Sequence, residues 1–356
     1  MIRILLPVFS FCLFALPTRA EYRPTHTDSG WVRLFNGKDL AGLYPYLEGS
    51  AKGQNPGNLV SVHDSMIHFY QGRKRANKDA GTGGVLSTEL EFGYYRARVE
   101  YRAGEFVNDG WLTGDPWNSG MFFHANAGAP PFPQAIECQL RVHLNSNGNK
   151  PCSVAAGDCN QPWAGDFWIL TGAQIINKDG MASQLGGCCQ PAYGNHKPDY
   201  EIDGWNVMEV EVFGDSLFRS ILNGHEVNRG TKATGLNANN QRVPLKKGRL
   251  QLELEGSEFL FRNWEIKLTN RDSLYAVWYK EGCLDPAYQE YSKDANLHIG
   301  TLCKTPAVTG LVKTLPQKKA EGKRKSRGFD FQGRLLRGPS ALVPAIPAKR
   351  ANSNLR

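Results

Sequence analysis

An alternating segment, IECQLRVHL at residues 136–144, places four chemically useful side chains on one face. Side chains alternate along a strand, so its apolar residues would face a core and its polar residues would share the opposite face. That polar face carries Glu137, Gln139, Arg141 and His143. An acid, an amide, a guanidinium and an imidazole in one row can bind hydroxyl groups, hold negative charge and move protons. We therefore predict a site on this face.

A second segment, NSGMFFH at residues 118–124, is predicted to lie beside the first, because only a short link containing APPFPQ separates them. By the same alternation, Asn118, Gly120 and His124 share one face. We expect this pairing to bring His124 within reach of Glu137. Gly120 would leave room for a ligand ring.

Two tryptophans, Trp111 and Trp117, precede the second segment in GWLTGDPWNSG. Aromatic rings can stack on the apolar faces of sugar rings, although ordinary packing explains most single tryptophans equally well. The sequence thus predicts four substrate-binding residues: Gln139, Asn118, Trp117 and Trp111.

Short alternating segments such as YYRARVEYR, WNVMEVEVFG and GRLQLELEG recur over residues 30–270. Asn223-Gly224 is a strong signal for a two-residue hairpin turn. No long segment has a 3.6-residue period. These features predict an all-β domain of two packed sheets. Residues 145–200 are rich in Gly, Pro, Asn and Cys, and they are predicted to form long disulfide-bearing loops.

The first 20 residues resemble a cleaved signal peptide, with Arg3 before a short apolar run and Ala20 at a plausible cleavage point. Residues 21–29 would then form a short lead. We expect a secreted or periplasmic protein without a transmembrane segment, since the apolar run is too short for a comfortable span.

Export favours disulfides, and seven cysteines remain after the signal peptide, so at least one must be unpaired. Cys138 falls on the apolar face of its segment and is predicted to be free. Cys283 and Cys303 are predicted to bond and to bound a small module at residues 271–305. Cys152 and Cys159 form the other natural local pair.

No metal site or other cofactor is predicted. The cysteines lack the spacing of a zinc site. Asp285 in the module is a candidate ligand for a divalent cation such as Ca²⁺. Too few oxygen-bearing residues lie near it in the sequence to specify a site.

The net charge of +8 comes from the C-terminal end. Residues 311–356 hold twelve Lys and Arg against two acids, so the rest of the chain carries a net charge of −2. Residues 306–356 are predicted to be a disordered basic tail, because such a composition buries little apolar surface. Binding of the tail to a polyanion remains an alternative, whereas binding to nucleic acid is not expected.

Several motifs, in order over about residues 30–268, resemble the 3-keto-disaccharide hydrolase domain family. They include GWVRLFNGKDLAGL, NSGMFFH, IECQL, LNG and FRNWEI. The resemblance implies a concanavalin A-like, jelly-roll β-sandwich with a site on its concave sheet. It also implies action on 3-keto-glycosides. The chain departs from the family pattern at four positions: Val142 replaces an Asp, His124 an Arg, and Glu253 and Glu255 stand near a usual Gln and His.

A 3-keto group acidifies the proton on sugar C2, so a base can remove it and the group on C1 can leave by β-elimination. Glu137 is predicted to be the base, and Arg141 to lie near the developing negative charge. His124 or His143 would donate a proton to the leaving oxygen. The alternative is a carbohydrate-binding module that kept the fold and lost the chemistry. Glu137 favours the enzyme, and the lost Asp and Arg favour the module.

Overall fold

The structure is a computed structural model that describes residues 25–26, 30–72, 82–107, 117–128, 130–141, 163–183, 189–195, 197, 200–202 and 204–307. Residues 1–307 form one unit and residues 308–356 a second, which lies outside the described residues. The predicted signal peptide and nearly all of the predicted tail therefore remain sequence predictions. Within the described part of the chain, no helix has the length and apolar character needed to cross a membrane.

The secondary structure is almost entirely β. In chain order the strands are β1 (Thr25–His26), β2 (Val32–Arg33), β3 (Leu43–Leu47), β4 (Val60–His63), β5 (Met66–Phe69), β6 (Gly84–Thr88), β7 (Tyr94–Val107), β8 (Gly120–Ala125), β9 (Ile136–Gln139), β10 (Phe167–Ile169), β11 (Gln174–Asn177), β12 (Gln190–Ala192), β13 (Asn206–Phe213), β14 (Leu217–Leu222), β15 (His225–Leu236), β16 (Arg242–Pro244), β17 (Arg249–Leu254), β18 (Ser257–Leu268), β19 (Glu281–Gly282) and β20 (Leu297–His298). Helix α1 (Tyr275–Trp278) and 3-10 turns at Pro56–Asn58 and Gly300–Leu302 also lie within the described residues.

Two antiparallel sheets form the body of the fold. The larger has eleven strands: eight follow the path β1-β2-β18-β7-β13-β14-β15-β11, and in addition β5 pairs with β18, β4 with β5 and β16 with β15. The smaller has seven strands in the order β12-β10-β9-β8-β17-β6-β3. The predicted Asn223-Gly224 turn joins β14 to β15, and both residues have positive φ angles, as this turn requires. The prediction of an all-β, two-sheet jelly-roll sandwich is confirmed.

The main core lies between the sheets and follows the alternation of the strands. Leu250, Leu252 and Leu254 of β17 face it and are fully buried. Phe123 of β8 and Phe218 of β14 meet there with ring centroids 5.3 Å apart. Because the leucines take one face of β17, its intervening polar residues must face the opposite side of the smaller sheet.

Short strands lie within residues 145–200, where the sequence predicts long disulfide-bearing loops. β10, β11 and β12 lie in this region, and β10 pairs directly with β9. Each strand has only three or four residues between Gly- and Pro-containing turns, which is too short for an alternating pattern to emerge. Residues 142–162 and 184–188 lie outside the described residues.

The cysteine predictions are confirmed where the structure describes them. Cys138 is buried and free, and Cys283 bonds to Cys303. Cys189 is also disulfide-bonded. Cys152, Cys159 and Cys188 lie outside the described residues.

The bond between Cys283 and Cys303 closes a segment with a sequence separation of 20. Loop-closure entropy predicts that a Cys283→Ser/Cys303→Ser double variant loses about 3 kcal/mol of unfolding free energy. Urea unfolding without reductant measures this loss, and reduction of the wild-type protein should reproduce much of it. A double variant as stable as the wild type would mean that the bond does not constrain the unfolded chain.

The outer face of the larger sheet carries paired charges. Arg96 Nη2 lies 2.7 Å from Glu209 Oε2, and Arg98 Nη2 lies 2.7 Å from Glu265 Oε2. Glu265 is buried, whereas Arg96 is 44% exposed, and surface pairs such as Arg96 with Glu209 contribute about 1 kcal/mol or less. The core separates this face from the smaller sheet, so its glutamates are suitable controls for substitutions on the other side of the sandwich.

Candidate active site

The face of the smaller sheet that points away from the main core carries the predicted site, and we call it the site face. Strand pairing aligns one row of side chains across it. Consecutive partners in this row, from β3 to β10, are Tyr44, Ser87, Gln251, Phe122, Glu137 and Trp168. Thus six strands place a carboxylate, an amide, hydroxyl groups and several aromatic rings in line.

A neighbouring row contains the second acid of the site face. Glu253 of β17 pairs with Val85 of β6, and the Ser119 hydroxyl donates to the Glu253 carbonyl oxygen at 2.8 Å. Leu252 pairs with Met121, so the register places Gly120 opposite Glu253. On its other side Gly120 pairs with Gln139. A glycine therefore lies between the strand of Glu137 and the strand of Glu253.

Gly120 provides the space that the Glu137 side chain occupies. A Cβ atom built on Gly120 would lie 2.6 Å from Glu137 Oε1 and 2.7 Å from Glu137 Cγ, which is closer than side chains tolerate. The Glu137 side chain therefore lies across the glycine, towards β17. The sequence pattern predicted that Gly120 leaves room for a ligand ring, whereas the structure fills much of that room with Glu137.

Three acids converge as a result, and we call Glu137, Glu253 and Glu255 the carboxylate cluster. Each offers an oxygen atom, and these atoms all lie within 4.8 Å of one another. Glu253 and Glu255 are two residues apart at the end of β17, and Gly256, with φ of 82°, turns the chain into β18. Glu137 and Glu253 are 4% and 1% exposed, and Glu255 is half-buried.

Burial raises the pKa of the Glu253 carboxyl well above its ordinary value, because the charged form loses hydration. The negative charges of Glu137 and Glu255 raise it further. Within the described residues, no N–H or hydroxyl donor reaches either Glu253 oxygen, and hydrogen bonds with the carboxyl groups of Glu137 and Glu255 favour its protonated form. A bare buried carboxylate beside two others is strongly unfavourable, so Glu253 must be neutralised by a proton or a cation.

Gln139 and Asn118 lie together on the site face, as predicted. Gln139 Nε2 donates to Asn118 Oδ1 and, at 3.0 Å, to the carbonyl oxygen of Ser119. Gln139 and Asn118 are 1% and 6% exposed. These bonds fix the orientation of the Gln139 amide group. A fixed orientation is needed if this side chain is to distinguish one hydroxyl group of a ligand from another.

The prediction that His124 joins the Glu137 row is wrong. His124 has φ of 53°, a left-handed conformation that breaks the alternation of β8, and a register shift occurs opposite it in β17. Its Nε2 atom donates to the carbonyl oxygen of Gly214, in the turn between β13 and β14 of the other sheet, at 3.0 Å. Burial lowers the pKa of His124 to about 4, so this ring is neutral near pH 7.

This depressed pKa predicts a dependence of stability on pH. Between about pH 6.5 and 4 the unfolded chain binds a proton at His124 and the folded chain does not, so stability falls as pH falls through this window. The contribution reaches about 1.4 kcal/mol per pH unit. Urea unfolding at several pH values should show a shallower slope for His124→Asn than for the wild type. The exposed His225, replaced in the same way, is the control, and a constant difference between wild type and His124→Asn at every pH would contradict the assignment.

The remaining predicted residues are placed as follows. Trp117 is half-buried against the main core, and its Nε1 atom donates to the carbonyl oxygen of Gly104 at 2.9 Å. It is therefore used in packing rather than presented on the site face. Arg141 is half-buried and follows the end of β9, so the strand predicted for residues 136–144 is shorter than expected. His143 and Trp111 lie outside the described residues.

Some residues on the site face were not predicted from the sequence motifs. Glu253 and Glu255 were visible as acids in GRLQLELEG, but strand register alone brings them to Glu137. Trp168 pairs directly with Glu137 and is half-buried, and its Nε1 atom has no hydrogen-bond acceptor within the described residues. It packs with Phe122 in a small apolar cluster on the site face.

Comparisons with known proteins give the following similarities. A protein of Parabacteroides distasonis, provisionally named a glycosyl hydrolase, is 17% identical, with 68% of this chain and 95% of that one covered and a TM-score of 0.39. A β-glucanase of Bacillus licheniformis is 11% identical, with 70% and 100% covered and a TM-score of 0.34. The carbohydrate-binding module CBM66 of Bacillus subtilis is 12% identical, with 54% and 89% covered and a TM-score of 0.30. No curated protein matches the sequence significantly.

A family model also matches the chain. Residues 30–267 match the 3-keto-alpha-glucoside-1,2-lyase-like domain, which is two thirds of the chain and includes the smaller sheet, nearly all of the larger sheet and the carboxylate cluster. This range agrees with the motifs recognised in the sequence over about residues 30–268. The chain belongs to the 3-keto-alpha-glucoside-1,2-lyase-like domain family.

Proposed function

We propose that this protein is a carbohydrate-active enzyme that cleaves 3-keto-glycosides by removing the C2 proton and eliminating the group on C1. The observation that carries the proposal is the position of Glu137, at the centre of a buried carboxylate cluster on the site face of a chain from this family. Carboxylates in sites shielded from water act as bases when substrate displaces solvent.

The proposed reaction proceeds in two stages. A base takes the C2 hydrogen as a proton, and the electrons of the C–H bond delocalise onto the 3-keto oxygen as an enolate. When the enolate collapses, a C1–C2 double bond forms, the C1–O bond breaks and the leaving oxygen takes a proton. Water then adds its oxygen to C1 and a proton to C2, so the net change is hydrolysis.

Glu137 is the proposed base, because the pairing of β9 with β8 and β10 and the gap at Gly120 fix its position. Asn118 and Gln139 lie on the same face and are proposed to bind sugar hydroxyl groups. Arg141 is proposed to stabilise the enolate oxygen. His143 is the proposed proton donor in place of His124. The neutral His124 ring is hydrogen-bonded to the Gly214 carbonyl oxygen of the other sheet.

A second function, sugar binding without turnover, is favoured by two family positions that this chain has changed. Val142 stands where the family has an Asp, and His124 where it has an Arg. The site face also carries aromatic side chains, among them Tyr46 and Trp168, that suit a binding module.

Incubation of the purified protein with 3-keto-glucosides, with the unoxidised glucosides as controls, separates the two functions. We expect release of the group on C1 from the keto substrates only, because a C2 proton without a neighbouring carbonyl is not acidic enough to remove. Binding of either sugar without turnover would support the binding module, and cleavage of the unoxidised glucosides at an equal rate would contradict the elimination chemistry.

A further inference from the structure

We propose that Glu137, Glu253 and Glu255 form a binding site for a divalent cation of the size of Ca²⁺. The site is distinct from Asp285 in the small module, which the sequence had left open as a calcium ligand. It uses residues from two strands of the smaller sheet, β9 and β17, and the residue that follows β17.

The spacing of the carboxylates suits such an ion. One oxygen from each of the three acids lies within 4.8 Å of the others. Oxygen atoms bind Ca²⁺ at about 2.3–2.6 Å, so two ligands of one ion are at most about 5 Å apart. Mg²⁺ binds at about 2.0–2.1 Å, so the same three acids can also ligate Mg²⁺ when their oxygens lie within about 4.2 Å of one another. Hard oxygen ligands of this kind do not select zinc or copper.

Unsatisfied oxygen atoms provide a second, independent reason. Glu253 is 1% exposed, and within the described residues its oxygens have the carboxyl groups of Glu137 and Glu255 as neighbours but no N–H or hydroxyl donor. Gln251, on the same face of β17, is 2% exposed, and its Oε1 atom likewise lacks a donor there. Its Nε2 atom donates to Ser87 at 3.2 Å, which leaves the oxygen as the free end of the amide. Buried oxygens normally have partners, and carboxylate and amide oxygens are the ligands that Ca²⁺ takes.

The charge of the cluster gives a further reason. Glu137, Glu253 and Glu255 bring three carboxyl groups together, and two of them are almost fully buried. Adding two acids beside a buried one is costly unless a positive charge compensates. A divalent cation offsets two charges at once, whereas a single shared proton offsets one.

The cation site does not require the proposed glycoside reaction, because binding can be measured without sugar. The experiment is an isothermal titration of CaCl₂ into the full chain, after dialysis against EDTA and then into chelator-free buffer near pH 7. We expect one ion per chain at the carboxylate cluster, and an increase in melting temperature when Ca²⁺ is added.

Glu253→Gln tests the site, because glutamine keeps the shape of the side chain and resembles a protonated carboxyl. We expect this variant to bind Ca²⁺ at least about tenfold more weakly and to lose the calcium-dependent increase in melting temperature. Glu255 is half-buried at the strand end, so Glu255→Gln gives the same test if Glu253→Gln fails to fold. Glu209→Gln, on the outer face of the larger sheet, should bind like the wild type.

Two results would overturn the proposal. The first is that the wild-type protein binds no Ca²⁺, Mn²⁺ or Mg²⁺ at about 10 mM, a concentration far above the Kd of structural calcium sites. The second is that cluster variants bind the ion as tightly as the wild type does. In either case the cluster holds a shared proton instead. Binding of Mn²⁺ or Mg²⁺ in place of Ca²⁺, weakened by the same substitutions, would support the site and change only the identity of the ion. Loss of glycoside turnover alone would leave these binding results unaffected, so the two proposals fail separately.

Discussion

Glu137→Gln is expected to lower kcat/KM for a 3-keto-glycoside by about two to four orders of magnitude, the usual contribution of general acid–base catalysis. Glutamine keeps the size and hydrogen-bonding shape of the side chain but cannot accept the C2 proton. Because it also removes one charge from a buried cluster, the melting temperature of the cation-free protein should not fall. The measurement is the initial rate of release of the C1 group, together with thermal unfolding.

Glu209→Gln is the matched control, since it makes the same chemical change on the opposite side of the sandwich. Its activity should equal that of the wild type. An active Glu137→Gln variant would remove Glu137 from the mechanism, and His143 would become the first candidate for the base. Inactivity combined with a large loss of stability would instead assign Glu137 a structural role.

The second large effect is expected at Gly120. A Cβ atom there would lie 2.6 Å from Glu137 Oε1, so Gly120→Ala must displace the Glu137 side chain. Displacement of a catalytic group by about 1 Å costs on the order of 100-fold in rate. We therefore expect Gly120→Ala to lower kcat/KM by about that factor while the protein stays folded.

Gly104→Ala is a close control for this substitution. A Cβ atom on Gly104 would lie 2.3 Å from Glu258 Cγ, so the change again pushes a glutamate aside, but in the larger sheet. It should leave kcat/KM near the wild-type value. Equal activities of Gly120→Ala and the wild type would mean that the position of Glu137 over the glycine is not needed for turnover.

The sequence predicts those features that depend on local alternation. The leucines of GRLQLELEG face the core and its acids face outwards, as a period of two requires. Glu137, Gln139 and Asn118 share a face because the link between β8 and β9 is short enough for the strands to pair. The disulfide between Cys283 and Cys303 follows from two nearby cysteines in a compact segment.

The features that the sequence does not predict depend on register or on single backbone angles. The convergence of Glu253 with Glu137 requires β17 to pair with β8, and these strands are more than a hundred residues apart. The sequence pattern places His124 on the wrong face because His124 itself has a left-handed backbone conformation, which reverses the direction of its side chain. The pairing of Trp168 with Glu137 depends on a strand of three residues whose apolar pattern is too short to recognise.

Removal of the C2 proton is the central claim, and turnover in D₂O tests it most directly. A 3-keto-glucoside cleaved by elimination and addition of water takes its new C2 hydrogen from solvent, so the released sugar should carry deuterium at C2. The proton NMR spectrum and a mass increase of one unit measure this, with the free keto sugar in the same buffer as a control for spontaneous exchange. A product that retains its original C2 proton would contradict the proposed mechanism.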